Sequence, residues 1–155
     1  MTDQPAIDLA GITRPFYEYA FGIDTRDWDL YRRTFTDQIS ADFSSYNGGE
    51  PAVLSADDWV AGVRASLAGL DATQHTMSNP LIDLSDDGES ARCRMQMQAA
   101  HFLNDWPEPE FTIGGYYDNQ LVHTEDGWKI SAVTLNVWWR RGDFALMQEA
   151  KHRHE

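Results

Sequence analysis

The sequence predicts an α+β domain in which a curved, mixed but mostly antiparallel sheet folds over N-terminal helices. Two observations predict it. Apolar residues recur at helical spacing over 7–21 and again over 56–70, whereas four later stretches alternate apolar and polar residues. Those stretches are joined in part by Asp86-Asp87-Gly88 and Glu125-Asp126-Gly127, which have the composition of hairpin turns.

The first helix is expected over residues 7–21, with Gly22 as its stop and Pro15 kinking or dividing it. Trp28, Leu30, Tyr31 and Phe35 suggest a second helix that begins near Asp27, or earlier if Thr25 is the cap. Residues 39–46 read as a strand that Asn47, Gly48 and Gly49 break. Ser55, with Asp58 three residues later, looks like a variant capping box before Trp59, Val60, Val63, Leu67 and Leu70, so a third helix is placed over 56–70.

Strands follow over 74–84, 90–103, 111–124 and 129–141. In the second of these, Arg92, Arg94, Gln96 and Gln98 alternate with Cys93, Met95, Met97 and Ala99, so one face must be covered. The same parity puts His101 and Leu103 on the apolar side unless a bulge reverses it. Residues 143–154 add a short terminal helix or fray, which makes the whole of 1–155 one domain with its core over about 7–141.

A chain of 155 residues buries about two-thirds of its unfolded surface, so one real core is expected. With 42% hydrophobic and 12% aromatic residues, including six Trp, it is not a disordered segment. The net charge of −13 repels phosphate backbones and anionic lipid surfaces, so neither nucleic acid nor membrane is expected as a partner. Lone Cys93 makes no internal disulfide, the first nine residues lack a secretory pattern, and no stretch approaches the roughly 18 apolar residues of a membrane span. A cytoplasmic location fits these features. Nor do Walker, dinucleotide-glycine or Gly-x-Ser-x-Gly sequences occur, and the five histidines have no compact ligand spacing, so no cofactor and no metal is expected.

Four local patterns resemble one family. They are Tyr19-Ala20-Phe21-Gly22-Ile23-Asp24, Asp42-Phe43-Ser44-Ser45, His75-Thr76-Met77-Ser78-Asn79, and Gly114-Gly115-Tyr116-Tyr117-Asp118-Asn119 leading into Asp126-Gly127-Trp128-Lys129-Ile130. In order and content they resemble the SnoaL-like branch of the nuclear transport factor two-like superfamily. That branch includes scytalone dehydratase, hexachlorocyclohexane dehydrochlorinase, bile-acid dehydratase and polyketide cyclases. The resemblance covers about residues 8–140 and implies a cone-shaped barrel around one apolar pocket, with dimers or trimers as the assembly.

Dehydratases and dehydrochlorinases of this family pair an acid at the end of the first long helix with a histidine on the strand after the third. Asp24 and His75 occupy those positions. The resemblance thus implies a cofactor-independent lyase or isomerase. In it His75 abstracts a proton and Asp24 holds the imidazole in the required tautomer. Its substrate would be a small hydrophobic cyclic molecule. The alternative is a non-catalytic domain of the same fold that binds a small ligand or assembles subunits.

Tyr19 matches a functional tyrosine of bile-acid dehydratase, and His101 a second histidine of scytalone dehydratase. Tyr19, Tyr46 and Tyr117 are therefore either polar handles in the pocket or core aromatics. His101 is either a second pocket imidazole or a buried strand-end histidine, and Asn79 either a pocket residue or a turn before Pro80. Met97 joins Phe43, Trp59, Met95, Leu135, Trp138 and Trp139 as cavity wall or core. The Trp138-Trp139 pair, followed by Arg140 and Arg141, alternatively forms a subunit contact.

Overall fold

The computed structural model describes residues 5–153, so His154 of the expected tail and the outermost ends of the expected 1–155 domain lie outside the described residues. Helix α1 (Leu9–Asp24) is capped by Asp8, whose side chain accepts from the Gly11 N–H at 2.9 Å. It passes through Pro15 without dividing and continues beyond Gly22. Pro15 forfeits one backbone bond, but its burial, with Ile12, Phe16 and Tyr19, holds the turn together. Gly22 is a contact rather than a stop, because a Cβ there would lie 2.7 Å from the Tyr31 nitrogen. Helix α2 (Trp28–Arg33) begins at the Asp27 cap, whose carboxylate accepts from the Leu30 N–H.

The expected strand over 39–46 is displaced: β1 spans Phe35–Asp42, and a one-turn helix, α3 (Ser44–Asn47), takes the rest. Asp42 explains the change. Its carboxylate accepts from both the backbone and the hydroxyl of Ser44, which turns the chain, and Gly48 at φ 72° ends the turn. Tyr46 is consequently helical. A four-residue strand, β2 (Ala52–Ser55), then pairs back onto β1. It carries too few residues for a periodic signal. Ser55 caps α4 (Ala56–Leu67) as expected, accepting from the Asp58 N–H at 3.1 Å.

Strands β3 (Ala72–Leu84), β4 (Ser90–Phe102), β5 (Glu110–Thr124) and β6 (Gly127–Gly142) come next, and helix α5 (Ala145–His152) closes the described chain. The six strands form one open sheet in the order β2-β1-β6-β5-β4-β3, antiparallel except where β1 meets β6. Register shifts in β3 and along the β5–β6 pair bend the sheet around α1. The shift in β3 falls at Asn79-Pro80, where Asn79 takes φ 56° and donates to the Gln96 side chain at 2.7 Å. Asn79 is therefore an exposed bulge residue, outside the cavity.

The parity of β4 is borne out, with Cys93, Met95, Met97, Ala99 and His101 buried, Arg92, Gln96 and Gln98 exposed, and Arg94 half-buried with its guanidinium donating to Asp83. The core lies between that inner face and the helices. Phe16, Tyr31, Phe35, Met95 and Ile130 are almost completely inaccessible there, and the rings of Tyr19, Tyr31 and Phe35 meet edge to face at 4.8 to 5.9 Å. Burial pushes the Cys93 thiol up to about 12, so this sulfur is core and not a nucleophile. No helix among the described residues is long and apolar enough to cross a membrane.

Candidate active site

Asp24 is the last residue of α1, and β3, an edge of the sheet, runs past that helix end. Residues two apart on a strand point the same way, so Thr73 and His75 both face the carboxylate. Asp24 Oδ1 accepts from His75 Nδ1 at 2.7 Å and from the Thr73 hydroxyl at 3.0 Å, while Oδ2 takes the His75 backbone N–H at 2.7 Å. A carboxylate opposite Nδ1 puts the ring proton there and leaves the lone pair on Nε2. His75 thus presents an acceptor to the space in front of it.

Arg26 braces this end of α1 from an unusual backbone position, φ 60°. Its guanidinium donates to the Ile23 carbonyl at 3.2 Å and reaches the Thr73 hydroxyl at 3.5 Å. Burial lowers its basicity, and the charge of Asp24 opposes that shift.

In front of His75 lies a cavity of about 320 Å³, within the range of small-molecule sites. Six of the seven residues expected at the site line it: Tyr19, Tyr46, His75, Met97, His101 and Tyr117. Asp24 does not. It stands behind the imidazole and opens onto a groove between α1 and β3 on the far side, with its side chain 20% exposed against 7% for His75. Phe43, Trp59 and Leu135 are also cavity wall, whereas Met95 is core. Trp138 and Trp139 belong to neither, since both are exposed on the outer face. Trp138 is the extra residue of a β6 bulge opposite Gly114 and Gly115, which releases the end of the strand from the core.

His101 meets His75 edge to face, with ring centroids 6.0 Å apart. Its Nδ1 lies 3.0 Å from the Phe111 carbonyl, which can only accept, so the Nε2 of this ring is also a lone pair. Burial, aided by the neighbouring His75, lowers the His101 pKa to about 4 and keeps the ring neutral at neutral pH.

The other wall carries hydroxyls. Tyr19 and Tyr117 share a hydroxyl–hydroxyl bond of 3.1 Å, and the Trp59 indole donates to Tyr31 at 3.0 Å. Burial raises both cavity tyrosines well above the ordinary phenol value and Tyr46 to about 12, so all three keep their protons. One wall therefore accepts and the other carries protonated tyrosine hydroxyls, around an apolar middle of Ile23, Met97, Ile113 and Leu135.

The family model for SnoaL-like domains matches residues 4–134, most of the chain. The chain belongs to the SnoaL-like family. A Kribbella flavida structure is similar to this SnoaL-like domain at 31% identity and a TM-score of 0.84, covering 91% of this chain and 97% of that one. Two Novosphingobium aromaticivorans proteins share the fold. One, assigned as an aromatic ring hydroxylase, is 22% identical with a TM-score of 0.76 over 89% of this chain and 94% of its own. The other, assigned as a scytalone dehydratase, is 20% identical with a TM-score of 0.77 over 92% of each chain. At these identities the two Novosphingobium structures show a shared fold with this SnoaL-like domain.

Thr73, Arg26 and Tyr31 are site-supporting residues that the sequence reading did not single out. Strand parity with His75 would have found Thr73, whereas no local pattern marks an Arg at positive φ.

The low value of His101 has a measurable consequence. Between about pH 6.5 and pH 4 the unfolded chain protonates this imidazole while the folded chain does not, so stability falls with pH across that window. The full difference is worth up to about 3 kcal/mol. His101→Gln should lose that component. Urea midpoints at pH 7 and pH 4.5 are expected to differ less in the variant than in the native protein, and equal acid sensitivity would exclude the assignment.

Proposed function

We propose that this protein is a cofactor-independent, dehydratase-like lyase or isomerase acting on a small hydrophobic cyclic substrate. His75 Nε2 takes a proton from a carbon next to a carbonyl, and Asp24 fixes the tautomer and stabilises the imidazolium that forms. The observation that carries this reading is the 2.7 Å bond from His75 Nδ1 to a carboxylate behind it, with the same ring lining a cavity. The opposite wall suits the charge that develops. A tyrosine hydroxyl donates to the enolate oxygen as the C–H bond breaks, and the His75 imidazolium then returns its proton, either to a β-hydroxyl that leaves as water or to another carbon of the enolate. A protein of the same fold assigned as a scytalone dehydratase is consistent with this chemistry.

The test is a panel of cyclic β-hydroxy ketones, followed by the ultraviolet absorbance of the conjugated product. Turnover by the native protein at rates well above the buffer reaction is expected for at least one of them. Tight binding with no turnover across the panel would favour the ligand-binding alternative.

We also propose that the outer sheet face joins copies of the chain as a dimer or trimer. Trp138 is 62% exposed and its ring packs on Tyr116 at 5.2 Å, and exposed aromatics near an exposed arginine such as Arg141 are typical of such contacts. Trp138→Lys is expected to lower the mass measured by light scattering to that of one chain. An unchanged mass would place any assembly elsewhere.

A further inference from the structure

Most residues around the cavity are buried or half-buried, but four of them face solvent: Asn47, Asp58, Gly62 and Ser66. They are not scattered. Asp58, Gly62 and Ser66 are spaced four apart along α4, so they form a single stripe on that helix, and Asn47 at the end of α3 borders the same opening. The adjacent stripe, Trp59, Val63 and Leu67, turns inward and lines the cavity itself.

Gly62 is the anomaly in this stripe. A glycine inside a helix lowers its stability, and the usual compensations are missing here. A Cβ at Gly62 would meet nothing within 4 Å, and its φ is not positive, so neither close packing nor backbone conformation calls for glycine. The Ser66 hydroxyl does not crowd the opening either, because it is turned back onto the Gly62 carbonyl at 2.9 Å. The centre of the stripe is therefore kept bare. Beside it stands the exposed Asp58 carboxylate, in a chain whose net charge is −13.

We propose that the α4 stripe is the entrance to the cavity, with Gly62 setting its width and Asp58 selecting uncharged ligands over anions. The absent side chain leaves room for a flat ring system to pass between α4 and α3. A carboxylate at the lip, within an acidic molecule, repels a carboxylate or phosphate that approaches. Ligands of this cavity are accordingly neutral cyclic molecules, and acyl chains carried on phosphorylated carriers are disfavoured. The entrance is a property of the cavity and goes beyond the proposed reaction, holding whether or not His75 acts as a base.

The experiment uses 2-naphthol as a neutral probe and 2-naphthoate as an anionic one, with stopped-flow quenching of the intrinsic fluorescence to which Trp59 in the cavity contributes. Association of 2-naphthol is expected to slow at least tenfold in Gly62→Phe. The control is Ala61→Phe, which adds the same bulk one residue away, outside the cavity lining, and should leave the rate within twofold. Thermal unfolding of the two variants should stay within a few degrees of the native protein. In Asp58→Lys, association of 2-naphthoate should rise at least fivefold at low salt, and the gain should shrink at high salt, while 2-naphthol is little affected. A native rate of 2-naphthol uptake in Gly62→Phe overturns the entrance. Failure of the native protein to take up 2-naphthol does the same, and an unchanged naphthoate rate in Asp58→Lys overturns the charge selection. None of these readings depends on turnover, so loss of the proposed reaction alone would leave the entrance standing.

Discussion

Asp24→Asn is expected to reduce kcat/KM by about 10² to 10⁴ while leaving the fold intact. The carboxylate uses both oxygens: Oδ2 holds the His75 backbone N–H, and Oδ1 holds the imidazole Nδ1 and the Thr73 hydroxyl. An amide of the same shape keeps one carbonyl oxygen for the backbone N–H and turns its NH₂ toward the ring. The ring then accepts at Nδ1 and carries its proton on Nε2, so a donor faces the cavity where an acceptor is needed. His75→Gln should lose activity to a similar extent, because it removes the base itself. The double variant should be little worse than either single one, since the two residues act as one unit. Steady-state kinetics on the best substrate of the ketone panel checks all three, with circular dichroism to show that each variant is folded. An Asp24→Asn variant with native kcat/KM would leave the carboxylate a merely structural role.

A large stability loss is expected at Gly115. It sits in β5 between β4 and β6, and a Cβ there would lie 1.9 Å from the Asn136 carbonyl oxygen and 3.0 Å from Val137 Cα. Both neighbours are backbone, so no side chain can swing aside. Gly115→Ala has to push β6 away from β5 just where Tyr117 and Leu135 form the cavity wall. A loss of at least about 3 kcal/mol is expected, which corresponds to roughly 6 to 12 °C in Tm for a domain of this size. Differential scanning calorimetry checks it. A change below about 2 °C would mean that the close approach of the strands is easily relieved.

The long elements were legible because their signals are repeated. Eight alternating residues in β4 sort themselves into two faces, and extending that alternation correctly buried His101. The short elements were not legible, for a physical reason. Strand β2 has four residues, and α3 is one turn built by Asp42 and Ser44 and ended by Gly48, too short for periodicity to register. Pro15 and Gly22 misled in the same sense, because both are breakers by local propensity and both are overridden by packing against buried neighbours.

The site was legible only in part from the residues themselves. Asp24 and His75 lie 51 positions apart, and nothing local joins a helix-end acid to a strand histidine. The family resemblance brought them together, and the distance between them follows from the packing of α1 on edge strand β3. Trp138 and Trp139 had no assignable face, because the bulge that exposes them depends on the partner strand.

The central claim is that the His75–Asp24 pair removes a proton from carbon, whatever step comes next. Deuterium exchange tests it most directly: simple cyclic ketones, which cannot eliminate water, are incubated with the protein in D₂O, and label at the α-carbon is read by proton NMR. The account predicts exchange well above the buffer rate in the native protein and its loss in both His75→Gln and Asp24→Asn. Ketones that bind in the cavity yet exchange no faster than in buffer, or that exchange equally fast in the variants, would contradict it.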